Sequence, residues 1–150
     1  ASAHTASLLI NTATRQIIKP STIPDHQKFD IPSPTPYQPL DKIDAPEDMP
    51  ECYQIKAAYS HIDNLGHVNN NWYIDWVCDC FDADYYRRHE LAELQINFLQ
   101  EIRPGEQISM HAAPEGTTAD TWLFSGENRT RGLRSFDARG TWRVRQSGSG

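Results

Sequence analysis

The residues best suited to chemistry lie in one short segment, Tyr59-Ser-His-Ile-Asp-Asn-Leu-Gly-His-Val-Asn-Asn-Asn-Trp-Tyr73. It contains an acid, Asp63, four residues before an imidazole, His67, with a glycine at position 66 between them. Apolar residues at helical spacing follow, so these polar groups stand at the start of a buried helix. Backbone N–H groups there have no partner within the helix and can stabilise a developing negative charge. The segment therefore has the composition of an active site.

A structural role explains part of the same pattern. Asp63 and Gly66 are what a capped turn before a helix requires, and His67 fits as a polar residue of the first helical turn. Asn69–Asn71 contain good capping residues. However, three asparagines in succession are weak helix formers, which favours a further reason for their presence. Both interpretations stay open on the sequence alone.

Composition narrows the class of protein. The 150 residues carry 20 acids and 14 lysines and arginines, a net charge of -6, which disfavours nucleic-acid binding by bulk electrostatics. Cys52, Cys78 and Cys80 are odd in number, and the last two point apart on a helix, so we expect no disulfide framework. We also predict no metal, because no Cys or His cluster has the spacing for four ligands, and we expect no cofactor. Without a membrane-length apolar run or a signal peptide, we expect a soluble, cytoplasmic protein.

Prolines and aromatic residues divide the chain. Eight of the ten prolines lie between Pro20 and Pro50, whereas all four tryptophans follow Asn70. This predicts an extended linker over residues 20–50, because proline disrupts helices and central strands. Residues 1–19 contain a strand that we interpret as the end of a preceding domain. Residues 51–146 are then the folded domain, and 147–150 a flexible tail.

The folded part alternates between strand and helix patterns. A strand pattern runs from Tyr53 to Tyr59, and an apolar helix follows from Val68 to Phe81, with a weaker helical pattern continuing to His89. Four strand candidates come next, separated by Gly or Pro: Glu93–Ile102, Gln107–Ala113, Asp120–Glu127 and Leu133–Arg145. One strand, one helix and a meander of four strands predict an α+β domain of the hotdog type, an antiparallel sheet wrapped around a central helix.

The motif from Asp63 to Tyr73, Asp-x-x-Gly-His-Val-Asn-Asn-x-x-Tyr, resembles the signature turn of hotdog-fold thioesterases. Together with the segment from Ala6 to Arg15, it is similar to the acyl-acyl-carrier-protein (acyl-ACP) thioesterases of fatty-acid synthesis. Members of that family carry two hotdogs in tandem. The resemblance implies that this chain holds the end of a first hotdog, the linker and the C-terminal, catalytic hotdog. It also implies hydrolysis of acyl-ACP to free fatty acid, with acyl carrier protein as partner.

The family's catalytic set maps onto Asp63, His67 and Glu101. Thioester hydrolysis needs an activated water or a nucleophilic carboxylate, an oriented carbonyl and donors for the oxyanion. We expect Glu101 or Asp63 to activate water and His67 to relay protons or polarise the substrate. Main-chain N–H groups around Gly66 to Val68 are expected to hold the carbonyl oxygen. The predicted oxyanion and substrate-binding residues are Gly66, Val68, Asn64 and Asn69.

Two positions depart from the plant-type pattern. Leu65 stands where that pattern has asparagine, and Ile102 stands where it has cysteine, which excludes a nucleophilic thiol there. Asn64 is one place too early, and whether it replaces the missing amide stays open. For Glu101, a solvated strand end is the competing interpretation, because its position alternates away from the expected core face.

Other functions also fit. The motif is like that of single-hotdog acyl-CoA thioesterases, so it does not decide the carrier, and a non-catalytic acyl-binding or pairing module stays open. A hotdog hydratase is disfavoured because its acid and histidine are five residues apart. An isolated hotdog leaves a sheet edge uncovered, so we expect a homodimer or pairing with a second hotdog. Six basic residues between Arg129 and Arg145 are either a docking face for an acidic carrier or the outward face of a strand.

Overall fold

The computed structural model describes residues 9–10, 17–18, 42–117 and 120–145. Contacts divide the chain into two units, Ala1–Leu40 and Asp41–Gly150. In the first unit, strand β1 (Leu9–Ile10) pairs antiparallel with strand β2 (Ile17–Ile18). The remainder of the predicted first-domain segment, the linker as far as residue 41 and the tail lie outside the described residues.

The second unit is an antiparallel sheet with a helix packed on one face. Its elements are β3 (Glu51–Lys56), α1 (Asn70–Cys78), α2 (Ala83–Arg88), β4 (His89–Phe98), β5 (Gln107–Pro114), β6 (Thr121–Asn128) and β7 (Leu133–Val144). The strand order is β3-β5-β6-β7-β4, and every neighbouring pair is antiparallel. The predicted α+β class and hotdog fold are confirmed. Within the described residues, no helix is long and apolar enough to cross a membrane.

Several element boundaries differ from the sequence prediction, most of all around the helices and β4. Helix α1 begins two residues later, because Asn69 is extended and its side-chain oxygen accepts the Asn71 N–H at 2.9 Å as an N-cap. The weaker helical pattern is a separate helix, α2, which Asp82 caps by accepting the Tyr85 N–H at 2.8 Å. Strand β4 begins earlier than predicted, directly after α2, and ends at Phe98.

The core lies between α1 and the sheet. Tyr73 and Trp76 are almost fully buried, in agreement with the core role that the apolar helix predicts. Tyr73 makes edge-to-face contacts with Phe98 and Phe136, each at a centroid distance of 5.0 Å. These contacts fix the first turns of α1 over the end of β4. The other fully buried core side chains include Val77, Ile102, Ile108, Met110, Phe124 and Trp142.

Residues 42–50, here called the strap, pack against the sheet face that points away from α1. Arg134 donates a hydrogen bond to the Ala45 carbonyl at 2.6 Å, and His111 Nδ1 lies 2.9 Å from the Met49 carbonyl oxygen. Ile43 in the strap is 1% exposed. The prolines that predicted a linker exclude helix but not burial, so the packed unit extends about ten residues before the predicted domain start at 51.

Candidate active site

The segment between Ile62 and Val68 forms a tight turn closed by its own backbone. Asp63 N–H donates to the His67 carbonyl at 2.9 Å, and Gly66 N–H donates to the Asp63 carbonyl at 3.0 Å. Gly66 has a φ of +81°, a left-handed conformation that glycine adopts without strain. The Asp63 carboxylate accepts the Leu65 N–H at 2.8 Å and the His67 N–H at 3.4 Å. Asp63 therefore stabilises the turn in the way that a capped turn predicts.

The structure brings His67 and Glu101 into direct contact. His67 Nε2 lies 3.0 Å from Glu101 Oε2, with the two side chains 27% and 47% exposed. A main-chain hydrogen bond of 2.9 Å from Val68 N–H to the Ile102 carbonyl joins the two segments next to this pair. Glu101 is thus both a solvated residue beyond the end of β4 and a partner of the imidazole, so the two interpretations of its position are compatible.

The His67–Glu101 pair opens into a cleft of about 570 Å³ between the turn, the start of α1 and the end of β4. Polar groups from the turn and the helix start line one part of it. Leu65 at 81% exposure, Phe98 at 49% and Leu99 at 42% form an apolar rim. The other lining residues are Asp63, Val68, Asn69, Asn70, Asn71, Tyr73 and Gln100. Of the predicted substrate-binding residues, Val68 and Asn69 line the cleft.

The other predicted donors, the Asn64 side chain and the main-chain N–H groups from 66 to 68, do not face the cleft as free donors. Asn64 is exposed and is not among the described residues that line the cleft. The N–H groups of Gly66, His67 and Val68 already donate to Asp63 and to Ile102. In this conformation the main-chain N–H groups from 66 to 68 are therefore not open to a carbonyl oxygen.

Asn70 offers a donor that sequence reasoning missed. It is the first residue of α1, so no carbonyl of the same helix lies one turn before it, and its N–H has no partner among the described residues. Asn69 caps the helix immediately before it. The signal that could have located this donor is the capping preference of Asn69, which makes Asn70 the helix start.

Tyr73 also lines the cleft while belonging to the core. It is 3% exposed, and burial raises its pKa to about 12, with a hydrogen bond from the Ile102 backbone partly opposing the shift. Tyr73 is therefore a neutral phenol at physiological pH. The sequence predicted its burial but not its place in the cleft wall.

Two further expectations concern metals and charge. Among the described residues, no group of three or more His, Cys, Asp or Glu side chains is arranged to hold a metal ion. The basic residues between 129 and 145 each have a carboxylate oxygen 2.6 to 3.9 Å away. This pairing agrees with the outward face of a strand and leaves little free positive charge there.

A comparison with known families decides the classification. Residues 45–144 match the family described as the acyl-ACP thioesterase C-terminal domain. The chain belongs to this family. The resemblance that the motif of the turn indicated is thus confirmed, and the matched range contains most of the strap, the turn, α1 and the whole five-stranded sheet.

Solved structures share the fold. The acyl-ACP thioesterase of Bacteroides thetaiotaomicron superposes with a TM-score of 0.74 at 18% identity, covering 89% of this chain and 53% of that one. The 12:0-ACP thioesterase of Umbellularia californica gives 0.67 at 18% identity, covering 91% and 52%. A Thermus thermophilus thioesterase complexed with coenzyme A and Zn gives 0.60 at 16% identity, covering 68% and 84%. No curated protein sequence matches the chain. The chain spans about half the length of the acyl-ACP thioesterase structures that it matches.

Proposed function

We propose that this chain hydrolyses acyl thioesters, with acyl-ACP as substrate, and releases free fatty acid in fatty-acid biosynthesis. The observation that carries the proposal is the His67–Glu101 pair, 3.0 Å apart, at the wall of an open cleft in a domain of the acyl-ACP thioesterase family. A carboxylate that contacts both an imidazole and solvent is able to activate a water molecule.

In the proposed reaction, Glu101 removes a proton from water and the oxygen attacks the carbonyl carbon of the thioester. His67 orients the carboxylate through its Nε2 contact. The free N–H of Asn70 stabilises the negative oxygen of the tetrahedral intermediate. When this intermediate collapses, the carbon–sulfur bond breaks, and the proton taken by Glu101 passes through His67 to the leaving thiolate. The products are the fatty acid and the free thiol of the carrier.

The geometry favours Glu101 over Asp63 as the water-activating group. The Oδ1 atom of Asp63 accepts two main-chain hydrogen bonds within the turn, which ties that carboxylate to the backbone. Glu101 is 47% exposed and faces the cleft. We therefore assign Asp63 to the support of His67, and Glu101 to the water.

We further propose that the chain acts in the cytoplasm and pairs either with a second hotdog domain or with another copy of itself. Among the strands that the structure describes, β4 stands at one end of the sheet order and is hydrogen-bonded only to β7, so its other edge can extend the sheet. The exposed apolar rim of the cleft, Leu65, Phe98 and Leu99, gives a partner an apolar contact surface next to the site. The half-length coverage of the related structures agrees with such a partner.

A non-catalytic acyl-binding module is the second candidate. Leu65 is 81% exposed at the cleft, at the place where the plant-type motif has an asparagine, so the cleft is more apolar than that motif predicts. A single-hotdog type of acyl-CoA thioesterase differs from the first proposal only in the carrier. One experiment distinguishes the binding module and the acyl-CoA thioesterase from the first proposal.

The test is release of free thiol from a chain-length series of acyl-ACP and acyl-CoA substrates. Glu101→Gln is expected to lower kcat by roughly a hundredfold or more, because it removes the base and keeps the shape. Glu93→Gln is the matched control, since Glu93 is an exposed glutamate on β4 outside the cleft.

Wild-type activity in Glu101→Gln would refute the assignment of the base. Acyl binding without hydrolysis in the wild type would favour the module, and faster turnover of acyl-CoA would favour the other carrier.

A further inference from the structure

Three polar side chains beneath the Glu101 loop form a cluster that the reaction does not use directly. Glu106 is 7% exposed and Asn128 is 0% exposed. Asn128 Nδ2 donates to Glu106 Oε2 at 2.7 Å, and its side-chain oxygen accepts the Arg131 N–H at 3.1 Å. Arg131 Nε lies 3.9 Å from the other Glu106 oxygen. We call Glu106, Asn128 and Arg131 the brace.

The brace contacts the backbone of the loop that carries Glu101 at two residues, Glu101 and Arg103. Glu106 Oε2 accepts the Arg103 N–H at 2.9 Å, and Arg131 Nη1 donates to the Glu101 carbonyl at 3.1 Å. The second contact is made to the backbone of the very residue whose side chain meets His67. The β6–β7 turn, which carries Arg131, is therefore hydrogen-bonded to the Glu101 backbone, although this turn does not line the cleft.

A buried polar cluster of this kind carries a desolvation cost that a simple loop between two strands does not need. Burying a carboxylate and an amide requires that their hydrogen-bonding atoms all find partners, and an apolar turn avoids this requirement. The loop is already attached to the sheet, because Leu99 and Gln100 N–H groups both donate to the Ser135 carbonyl at 2.9 Å. The contacts made by the brace lie further along the chain, between residues 101 and 106, in the part of the loop that carries the Glu101 carboxylate.

We propose that the brace positions Glu101 for the reaction, with Arg131 as its decisive member. This inference rests on the proposed role of Glu101 in hydrolysis. Without the Arg131 contact, the loop keeps its attachment at Ser135, but the carboxylate is held less closely to His67. A displacement of about 1 Å at a catalytic group lowers the rate by roughly ten- to a hundredfold.

Steady-state kinetics of Arg131→Met, Arg131→Lys and Arg129→Met provide the first test. Arg131→Met should lower kcat by roughly tenfold or more with little change in KM, because Arg131 does not line the cleft. Arg131→Lys keeps a cation that can reach the Glu101 carbonyl and should restore part of kcat. Arg129→Met is the matched control, since Arg129 is an exposed arginine of the same turn that pairs with Glu51.

Amide hydrogen exchange of the same variants provides a test that needs no activity. The Val68 N–H, which donates to Ile102 beside Glu101, should exchange roughly tenfold faster in Arg131→Met and unchanged in Arg129→Met. Unchanged Val68 exchange, or unchanged kcat, in Arg131→Met would overturn the brace. If wild-type protein and all variants lack hydrolase activity, the proposed function fails, and the exchange result still decides whether the brace holds the loop.

Discussion

Substitutions at Asp63 separate the support of the turn from the activation of water. Asp63→Ala removes the acceptor of one good hydrogen bond, from Leu65 N–H at 2.8 Å, and of one long one, from His67 N–H at 3.4 Å. Loss of a comparable capping contact costs about 1 to 2 kcal/mol. For a unit of this size, that corresponds to a fall in Tm of roughly 4 to 8 °C. Asp63→Asn keeps an oxygen in the same place and should restore most of this stability.

Thermal unfolding and thiol release of these two variants are measured together. If Asp63 only supports His67, Asp63→Asn should recover activity in parallel with stability, to within roughly tenfold of wild type, as expected of a supporting residue. A variant Asp63→Asn that is as stable as wild type but slower by roughly a thousandfold would refute the reasoning, because that loss is typical of a missing general base. Glu101 would then have to be reassigned.

Two other predictions concern the core. A Cβ atom at Gly126 would lie 2.0 Å from the Phe136 ring. Gly126→Ala should therefore lower the free energy of unfolding, measured by denaturant titration, by about 1 to 3 kcal/mol. Equal stability of the variant and the wild type would contradict this contact. Burial raises the pKa of Tyr73 from 10.0 to about 12, so its stabilising contribution is complete below pH 10 and is lost as pH rises through about 12. Tyr73→Phe should therefore weaken the alkaline fall in unfolding free energy by about 3 kcal/mol, and an identical fall in both proteins would contradict the shift.

Much of the fold followed from local pattern. The apolar spacing of α1 predicted its buried position, and the strand patterns separated by Gly or Pro predicted the four strands from β4 to β7. The meeting of His67 with Glu101 was expected only through the family resemblance. No local pattern contains it, since the contact depends on the Val68–Ile102 hydrogen bond between segments far apart in sequence.

The other features of the site and of the strap depend on which hydrogen-bond partners lie nearby in the folded protein, and the sequence alone does not reveal these partners. The N–H groups of Gly66 to Val68 were expected to bind the oxyanion. In the structure they donate hydrogen bonds to Asp63 and to Ile102 instead. The strap contains prolines, which the sequence analysis interpreted as a sign of a linker. Its burial follows from side chains elsewhere, Arg134 and His111, that accommodate its carbonyl groups.

The strap also limits how the domain can be shortened. A version that starts with β3 would remove the acceptors at Ala45 and Met49 and leave a guanidinium and a ring nitrogen on the sheet in need of new partners. It would also bare the apolar surface that Ile43 covers. A truncated protein intended for expression or crystallisation should therefore begin no later than about residue 41. Poor solubility of a shorter version would reflect this exposed apolar surface rather than a defect of the turn between Ile62 and Val68.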